Sequence, residues 1–387
     1  MANGLHAETL LVLRSYLEQH GLAQTVEKLD SEAGVDWDDV LKIHVPLDAM
    51  VEQQKQRQSV DGNMLANMRI SGYGAKVLVG NPRAYTEMHS NNITSVLYIQ
   101  AALESDNQTT EQLLVTGSSD KTIAITDLST GLVVRRYTVN APVLCIDKHP
   151  SRPIIACGTM DGQITLFGLT GSSSTIHEQS KYVTHLRFSP CGKWIVSATR
   201  DKAVTIFQLD GIHLLIHSRH VYPEIIESLC FFGHTLIIGL RNIPDLVFYD
   251  PESTNSRKFN LNLKGDLHVS FNPMCISASP CGMFFAVYTD SQAGRIIIYS
   301  KAGHVEDLWG IPTDLYAVPQ LVWITPRCLA ATSENDIWIF DLKTKDRSVL
   351  SHHQGIVRGL SYADGLLASC SYDQTAATWP VTLSNTM

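Results

Sequence analysis

Residues 183–209 read VTHLRFSPCGKWIVSATRDKAVTIFQL, and residues 274–300 read MCISASPCGMFFAVYTDSQAGRIIIYS. Each is one phrase: an apolar strand-like run, a Ser-Pro-Cys-Gly turn, a second run, a polar turn and a third run. Gly and Pro punctuate such segments because they supply backbone angles that strands do not use. The middle runs are continuously apolar, which fits strands covered on both faces. The same phrase begins near Ile93, Val143, Val183, Ile226, Met274, Pro319 and Ile356. A period of about 40 to 50 residues with three or four strands is the signature of propeller blades. One such sheet has two apolar faces and cannot stay soluble alone, so the blades must close into a ring. The expectation is a mainly β chain with a seven-bladed propeller over 83–387. Residues 84–88 and their neighbours are expected to supply the outer strand of the seventh blade.

The last repeat, SHHQGIVRGLSYADGLLASCSYDQTAATWP, resembles a WD40 repeat. His353, Ser369, Asp373 and Trp379 fall where that family places a hydrogen-bonded His-Ser-Asp-Trp tetrad. In the first repeat His89, Thr116 and Asp120 match, and Thr126 replaces the Trp. Asp161 and Asp201 keep the turn position in internal repeats, while Phe167, Phe207, Tyr249, Tyr299 and Phe340 stand in for Trp. No repeat ends in Trp-Asp. The aspartates have a structural reading, because a carboxylate accepts turn N–H groups otherwise left unpaired.

Ahead of the repeats, ETLLVLRSYLEQHGLAQTVEKLDSEA at 8–33 has helical periodicity. Leu10, Leu13 and Leu17 recur on one face, Gly21 interrupts, and Leu22, Val26 and Leu29 resume. Two helices this short cannot bury their stripe unaided. Val12-Leu13, Tyr16-Leu17, Gly21-Leu22, Thr25-Val26, Leu29 and Glu32 resemble the LisH motif, with Leu22 in place of an aromatic and Val26 in place of Ala. The resemblance implies a helical dimerisation module over 1–45, with Leu10, Leu13, Tyr16, Leu17, Leu22, Val26 and Leu29 in its interface. Residues 46–82 read as a short helix from Pro46 and a Gln- and Gly-rich linker.

The chain has 387 residues, 44% of them hydrophobic and 18% charged, with a net charge of -8 at pH 7. That balance argues against broad nucleic-acid binding, which needs clustered Lys and Arg. The N-terminus lacks the pattern of a secretory leader, and no run reaches the roughly 18 apolar residues of a membrane span. Of the eight cysteines none forms a CxxC pair, and no Cys/His set has zinc spacing. An intracellular location, cytoplasmic or nuclear, with reduced thiols follows as the expectation.

No sequence pattern points to chemistry. GSSDKT at 117–122 lacks the spacing of a phosphate-cradling loop, and HLLIHSRH at 213–220 reads as an edge strand with no Cys or carboxylate at ligand spacing. Neither cofactor nor metal is expected. What remains is surface. The turns between second and third strands would present Ser119, Met160, Arg200, Arg241 and Tyr372 around one opening, and Arg, Tyr and Met are favoured at interface hot spots. The expectation is a homodimeric, non-enzymatic scaffold that recruits protein or peptide partners into a multi-subunit complex. Proteins that look like this include microtubule and dynein regulators, transcriptional corepressors, and subunits or substrate receptors of ubiquitin ligases. The alternative of another class is a propeller enzyme, which would gather carboxylates or histidines in the central channel.

Overall fold

A computed structural model describes residues 76–102, 110–169, 173–179, 181–262, 272–290, 294–312 and 318–384. The LisH-like hairpin, with Leu10, Leu13, Tyr16, Leu17, Leu22, Val26 and Leu29, lies outside the described residues, as does the short helix expected after Pro46.

Seven antiparallel sheets follow one another along the chain. Blade 1 runs through Ile93–Ala101, Glu111–Ser118, Thr122–Asp127 and Val133–Thr138, and blade 2 through Val143–Lys148, Ile154–Thr159, Gln163–Gly168 and Ser173–Glu178. Blade 3 holds Val183–Phe188, Trp194–Thr199, Ala203–Asp210 and His213–Val221; blade 4 holds Ile226–Phe232, Thr235–Leu240, Ile243–Tyr249 and Ser256–Asn260. Blade 5 is Pro273–Ala278, Phe284–Thr289, Arg295–Ser300 and Val305–Gly310, and blade 6 is Leu321–Thr325, Cys328–Ser333, Asp336–Asp341 and Arg347–Ser351. Each repeat start read from the sequence falls within two residues of the first strand of a blade.

Blade 7 is composite. Val357–Ala363, Leu366–Ser371 and Ala376–Ser384 come from the C-terminal end of the chain, and Arg83–Tyr85 completes the sheet by pairing with Thr378–Ala376. A further strand, Lys76–Val79, pairs with Ser384–Val381 along the same edge. The sheet therefore begins ahead of residue 83, inside the stretch read as linker. Nothing in KVLV distinguishes a linker from a strand until the free edge beside it is known.

First strands of successive blades adjoin around the centre, and the first strand of blade 7 adjoins that of blade 1. At this seam the Tyr98 N–H donates to Ser361 Oγ at 3.1 Å. Second strands are buried at every position in blades 2, 3, 5 and 6, whereas the outer strand Val133–Thr138 alternates half-buried and exposed. The cause is position in the fan: a middle strand has a neighbouring blade on each face. The core is thus a series of interblade layers. One joins Leu113, Val115, Ile123 and Ile125 of blade 1 to Val143, Ile155, Cys157 and Phe167 of blade 2. Another joins Tyr85, Met88, Ile93 and Tyr98 to Ala368, Cys370 and Ala376 across the seam.

The two Ser-Pro-Cys-Gly segments make the same turn between first and second strands. Ser189 Oγ accepts the Trp194 N–H and Ser279 Oγ the Phe284 N–H, each at 3.0 Å, and Gly192 and Gly282 take φ of 73° and 65°. That left-handed angle is the reason for the glycine.

Candidate functional site: one propeller face and its channel

The turn from second to third strand repeats in conformation. Lys121, Gly162, Lys202, Asn242 and Gln374 all have φ between 56° and 88°. Just before each, one backbone N–H reaches back to the residue that precedes the first strand of its blade. Ser119 donates to Asn92 O at 3.0 Å, Met160 to Pro142 O at 2.9 Å, Arg200 to Tyr182 O at 3.2 Å, Arg241 to Ile225 O at 2.8 Å, and Tyr372 to Ile356 O at 3.0 Å. The five residues singled out in the sequence therefore occupy one equivalent position in blades 1, 2, 3, 4 and 7, at the end of the inner strands. Met160 is 56% and Tyr372 36% exposed, while Ser119, Arg200 and Arg241 are half-buried. The Arg241 guanidinium is bonded to Glu227.

Behind this face stand two matching polar clusters. In blade 7, His353 Nε2 lies 2.7 Å from Ser369 Oγ and Nδ1 lies 3.0 Å from Asp373 Oδ2. Asp373 also accepts the Gln354 N–H at 2.9 Å, the Thr375 N–H at 2.9 Å and the Thr375 hydroxyl at 2.7 Å. In blade 1, His89 meets Thr116 Oγ1 at 2.8 Å and Asp120 Oδ2 at 3.0 Å, and Asp120 accepts the Ser90 N–H and both Thr122 donors. Burial lowers the pKa of His89 and of His353, against the opposing pull of their aspartates. Burial alone would raise Asp120 and Asp373, but the hydrogen bonds from Thr122 and Thr375, the backbone N–H groups and the imidazoles outweigh it and hold both below the usual carboxylate value. The arrangement fits a neutral imidazole donating from Nδ1 to a carboxylate and accepting a hydroxyl at Nε2.

Trp379 packs against His353, ring centroids 6.2 Å apart, and is 2% exposed. Across the ring its position is held by Thr126, Phe167, Phe207, Tyr249, Tyr299 and Phe340, all buried, and each pairs with the second strand as Trp379 pairs with Leu367. Asp161 and Asp201 sit at the same turn but accept Thr159 and Thr199 hydroxyls, with Arg219 adding an ion pair to Asp201 at 2.8 Å.

Three features were not legible in the sequence. A cavity of about 190 Å³ lies among the inner strands of blades 1, 2, 3 and 7, lined in part by Asp147, His185, Arg187 and Arg358. It holds one carboxylate and one imidazole, and these do not face one another as an acid–base couple. Asp147 Oδ2 accepts the Phe188 N–H at 2.7 Å, and His185 Nδ1 lies 3.0 Å from Thr184 Oγ1. Burial, reinforced by Arg187 and Arg358, takes the His185 pKa down to about 3. Second, Arg327 and Asp341 form a buried bidentate pair, both contacts 2.7 Å, that ties the ends of two strands in blade 6. Third, Thr126 Oγ1 is buried without a hydrogen-bond partner among the described residues. No alternation or motif marks the first two, because their members come from separate elements, and the third depends on what surrounds Thr126 in the fold.

His213, His217 and His220 lie on the outer strand of blade 3. The His217 ring packs on Trp194 and the His220 ring on Tyr249, with centroids 4.6 and 4.7 Å apart.

Comparison with known proteins agrees with this geometry. The family described as "WD domain, G-beta repeat" matches residues 132–167, 171–208 and 344–379. The chain is 26% identical over 181 residues to the "Transcriptional corepressor LEUNIG_HOMOLOG" of Arabidopsis thaliana, 45% of this chain and 21% of that protein. It is 32% identical over 98 residues to "Pre-mRNA-processing factor 19" of Oryza sativa subsp. japonica, 24% of this chain and 19% of that one. With "WD repeat-containing protein 90" of Xenopus tropicalis it shares 33% identity over 103 residues, 26% of this chain and 6% of that one. The matched part spans about a fifth or less of each relative. Each match to the family runs from the outer strand of one blade into the third strand of the next, so the sequence repeat is offset by one strand from the structural blade. The chain carries WD40 repeats, and its described residues fold as a seven-bladed β-propeller.

Proposed function

We propose that the chain is a non-enzymatic scaffold, gathering protein or peptide partners on the propeller face that presents Ser119, Met160, Arg200, Arg241 and Tyr372. The observation that carries this reading is their equivalence. Five residues far apart in sequence make the same kind of backbone contact, each in its own blade, which supports their presentation around one opening. A rigid ring of side chains from many blades suits the recognition of a surface, since little conformational freedom is lost on binding. The names of the relatives, a transcriptional corepressor and a pre-mRNA-processing factor, support membership of a larger assembly inside the cell, in nucleus or cytoplasm.

Affinity purification of the full chain, with partners identified by mass spectrometry, tests this face. Arg200→Glu and Met160→Asp should lose partners that the wild type recovers while leaving the melting temperature unchanged, because half-exposed turn side chains contribute little to stability. Lys193→Glu on the opposite face is the control; its exposed pair with Glu252 is worth little. If the control loses the partners and both face variants keep them, binding lies elsewhere.

The same proposal assigns the LisH-like hairpin to pairing two copies. Light scattering should give a dimer for the full chain and a monomer without residues 1–40. Leu13→Asp or Leu17→Asp should act like the deletion, since a buried unpaired carboxylate is costly. A monomeric full chain at micromolar concentration contradicts it.

A further inference from the structure

We propose that the cavity among the inner strands of blades 1, 2, 3 and 7 is an oxyanion site, which takes a carboxylate or phosphate group of a partner peptide between Arg187 and Arg358. This rests on the scaffold reading above and adds the chemistry of what is bound. Arg358 is the second residue of the inner strand of blade 7, and Arg187 the fifth of the inner strand of blade 3. The two enter the channel from well-separated blades. Neither forms an ion pair among the described residues. Arg187 Nη1 donates to the Leu186 carbonyl at 2.9 Å. Arg358 lies 5.4 Å above the Tyr372 ring, and its Nε is buried without a hydrogen-bond partner among the described residues. That N–H is a donor removed from water and not yet used, a state that costs free energy until an acceptor arrives.

Charge in the cavity points the same way. Against two guanidinium groups stands one carboxylate, Asp147, already engaged by the Phe188 N–H. Burial raises the Asp147 pKa, with Arg187 opposing. Arg187 and Arg358 line one cavity, and both add to the lowering of the pKa of His185, which lines it too. In a chain of net charge -8 this is a local positive focus with low-dielectric walls, where field lines concentrate. Guanidinium groups bind carboxylate and phosphate through paired N–H donors, and Gln320 and Thr184 on the same wall add polar atoms.

Size decides the form of the ligand. About 190 Å³ is below the roughly 300–1,000 Å³ of small-molecule sites. The cavity accommodates the tip of a side chain and not a whole metabolite, and Arg358, beside the exposed Tyr372 ring, connects it to the face where a peptide would lie. The occupant is therefore an acidic or phosphorylated residue of a bound peptide.

The test uses the purified full chain and fluorescence anisotropy with two labelled probes, a hexaglutamate peptide and a hexapeptide containing phosphoserine, and with a hexalysine peptide as control. At least one anionic probe should bind saturably, be displaced by inorganic phosphate, and weaken with salt. The preferred probe distinguishes carboxylate from phosphate. Arg358→Gln and Arg187→Gln should each weaken it by about tenfold or more, with Arg187→Lys retaining part of the affinity and a wild-type melting curve. Lys193→Gln, on the opposite face, should stay within about twofold, since an exposed charge that far from the cavity is screened. The inference is overturned if neither anionic probe binds below about 1 mM, a ceiling already weaker than ordinary recognition, or if both Arg→Gln variants bind like the wild type. Partner capture that depends on Arg200 and Met160 without any anion binding would leave the scaffold face standing and remove the oxyanion site. Anion binding that needs Arg187 and Arg358 while partners are retained by every face variant would do the reverse.

Discussion

His353 Nδ1 lies 3.0 Å from Asp373 Oδ2, and that carboxylate holds four donors from three residues: His353, Gln354 and Thr375. The pair fixes the turn between second and third strands to the loop that enters the blade. Blade 1, next round the ring, repeats it with His89 and Asp120 at the same 3.0 Å. These two blades meet at the seam where the chain closes on itself, so a His–Asp cluster stands on either side of it.

Removing either clamp should be measurable. Asp373→Ala and Asp120→Ala strand buried or half-buried donors, and each should destabilise the propeller by about 1–3 kcal/mol. Urea denaturation followed by tryptophan fluorescence reads this directly. A variant with an unchanged midpoint would show that water replaces the carboxylate.

Acidification should destabilise the fold well before the carboxylates titrate. Burial lowers the pKa of His89, His149, His185 and His353 below the ordinary 6.5. An unfolded chain takes up protons on these imidazoles as pH falls through about 6.5, while the folded chain resists, so the unfolded state binds more protons. The stability is present above that pH and is lost progressively below it, for His185 down to about pH 3. Denaturation midpoints at pH 7.5, 6.5 and 5.5 should fall in that order. Replacing one of the four by Gln should flatten the slope by at most about 1.4 kcal/mol per pH unit. Equal midpoints at pH 7.5 and 5.5 would contradict the burial of these groups.

Thr126 occupies the place that Trp379 fills in blade 7, and its hydroxyl is buried with no partner among the described residues. Thr126→Val keeps the shape and removes the unsatisfied group. It should be neutral or stabilising by up to about 1–2 kcal/mol, read as a rise in the urea midpoint. A clear loss of stability would mean that an ordered water satisfies the hydroxyl.

Closure depends on the segment before the first repeat. Tyr85 and Met88 are 4% and 0% exposed in the layer between blades 7 and 1, and Arg83 Nη1 donates to Leu128 O at 2.6 Å. A chain beginning at Ser90 forfeits the buried side chains of Tyr85 and Met88, each worth about 1.5–3 kcal/mol, loses His89 from the blade 1 cluster, and leaves the edge of Ala376–Ser384 open to other strands. It should aggregate or melt without cooperativity, whereas a chain beginning at Ile70 should melt as the full chain does. Scanning calorimetry of both separates the outcomes; cooperative melting from Ser90 would show that the ring closes without this strand.

The blades were readable because their cause is local. Ser189-Pro190-Cys191-Gly192 must turn, and the apolar run Trp194–Thr199 must be covered on both faces, whatever surrounds them. His353, Ser369 and Asp373 were readable as a group because one repeat contains them all. The strand Lys76–Val79 was not, since KVLV gains meaning only from the free edge of Val381–Ser384, some three hundred residues away.

By itself, then, the sequence determined the repeat, the number of blades and the turn chemistry, all of which rest on hydrogen bonds and burial within about 45 residues of chain. Only the tertiary structure decided what meets across the ring. Arg187 and Arg358 have three blades between them along the chain but line one cavity, and Arg241, a free cation as a letter in the sequence, is bonded to Glu227. The physical reason is that periodicity reports which face of a strand is buried and says nothing of the azimuth at which it enters the ring. Charge neutralisation in the channel depends on that azimuth alone.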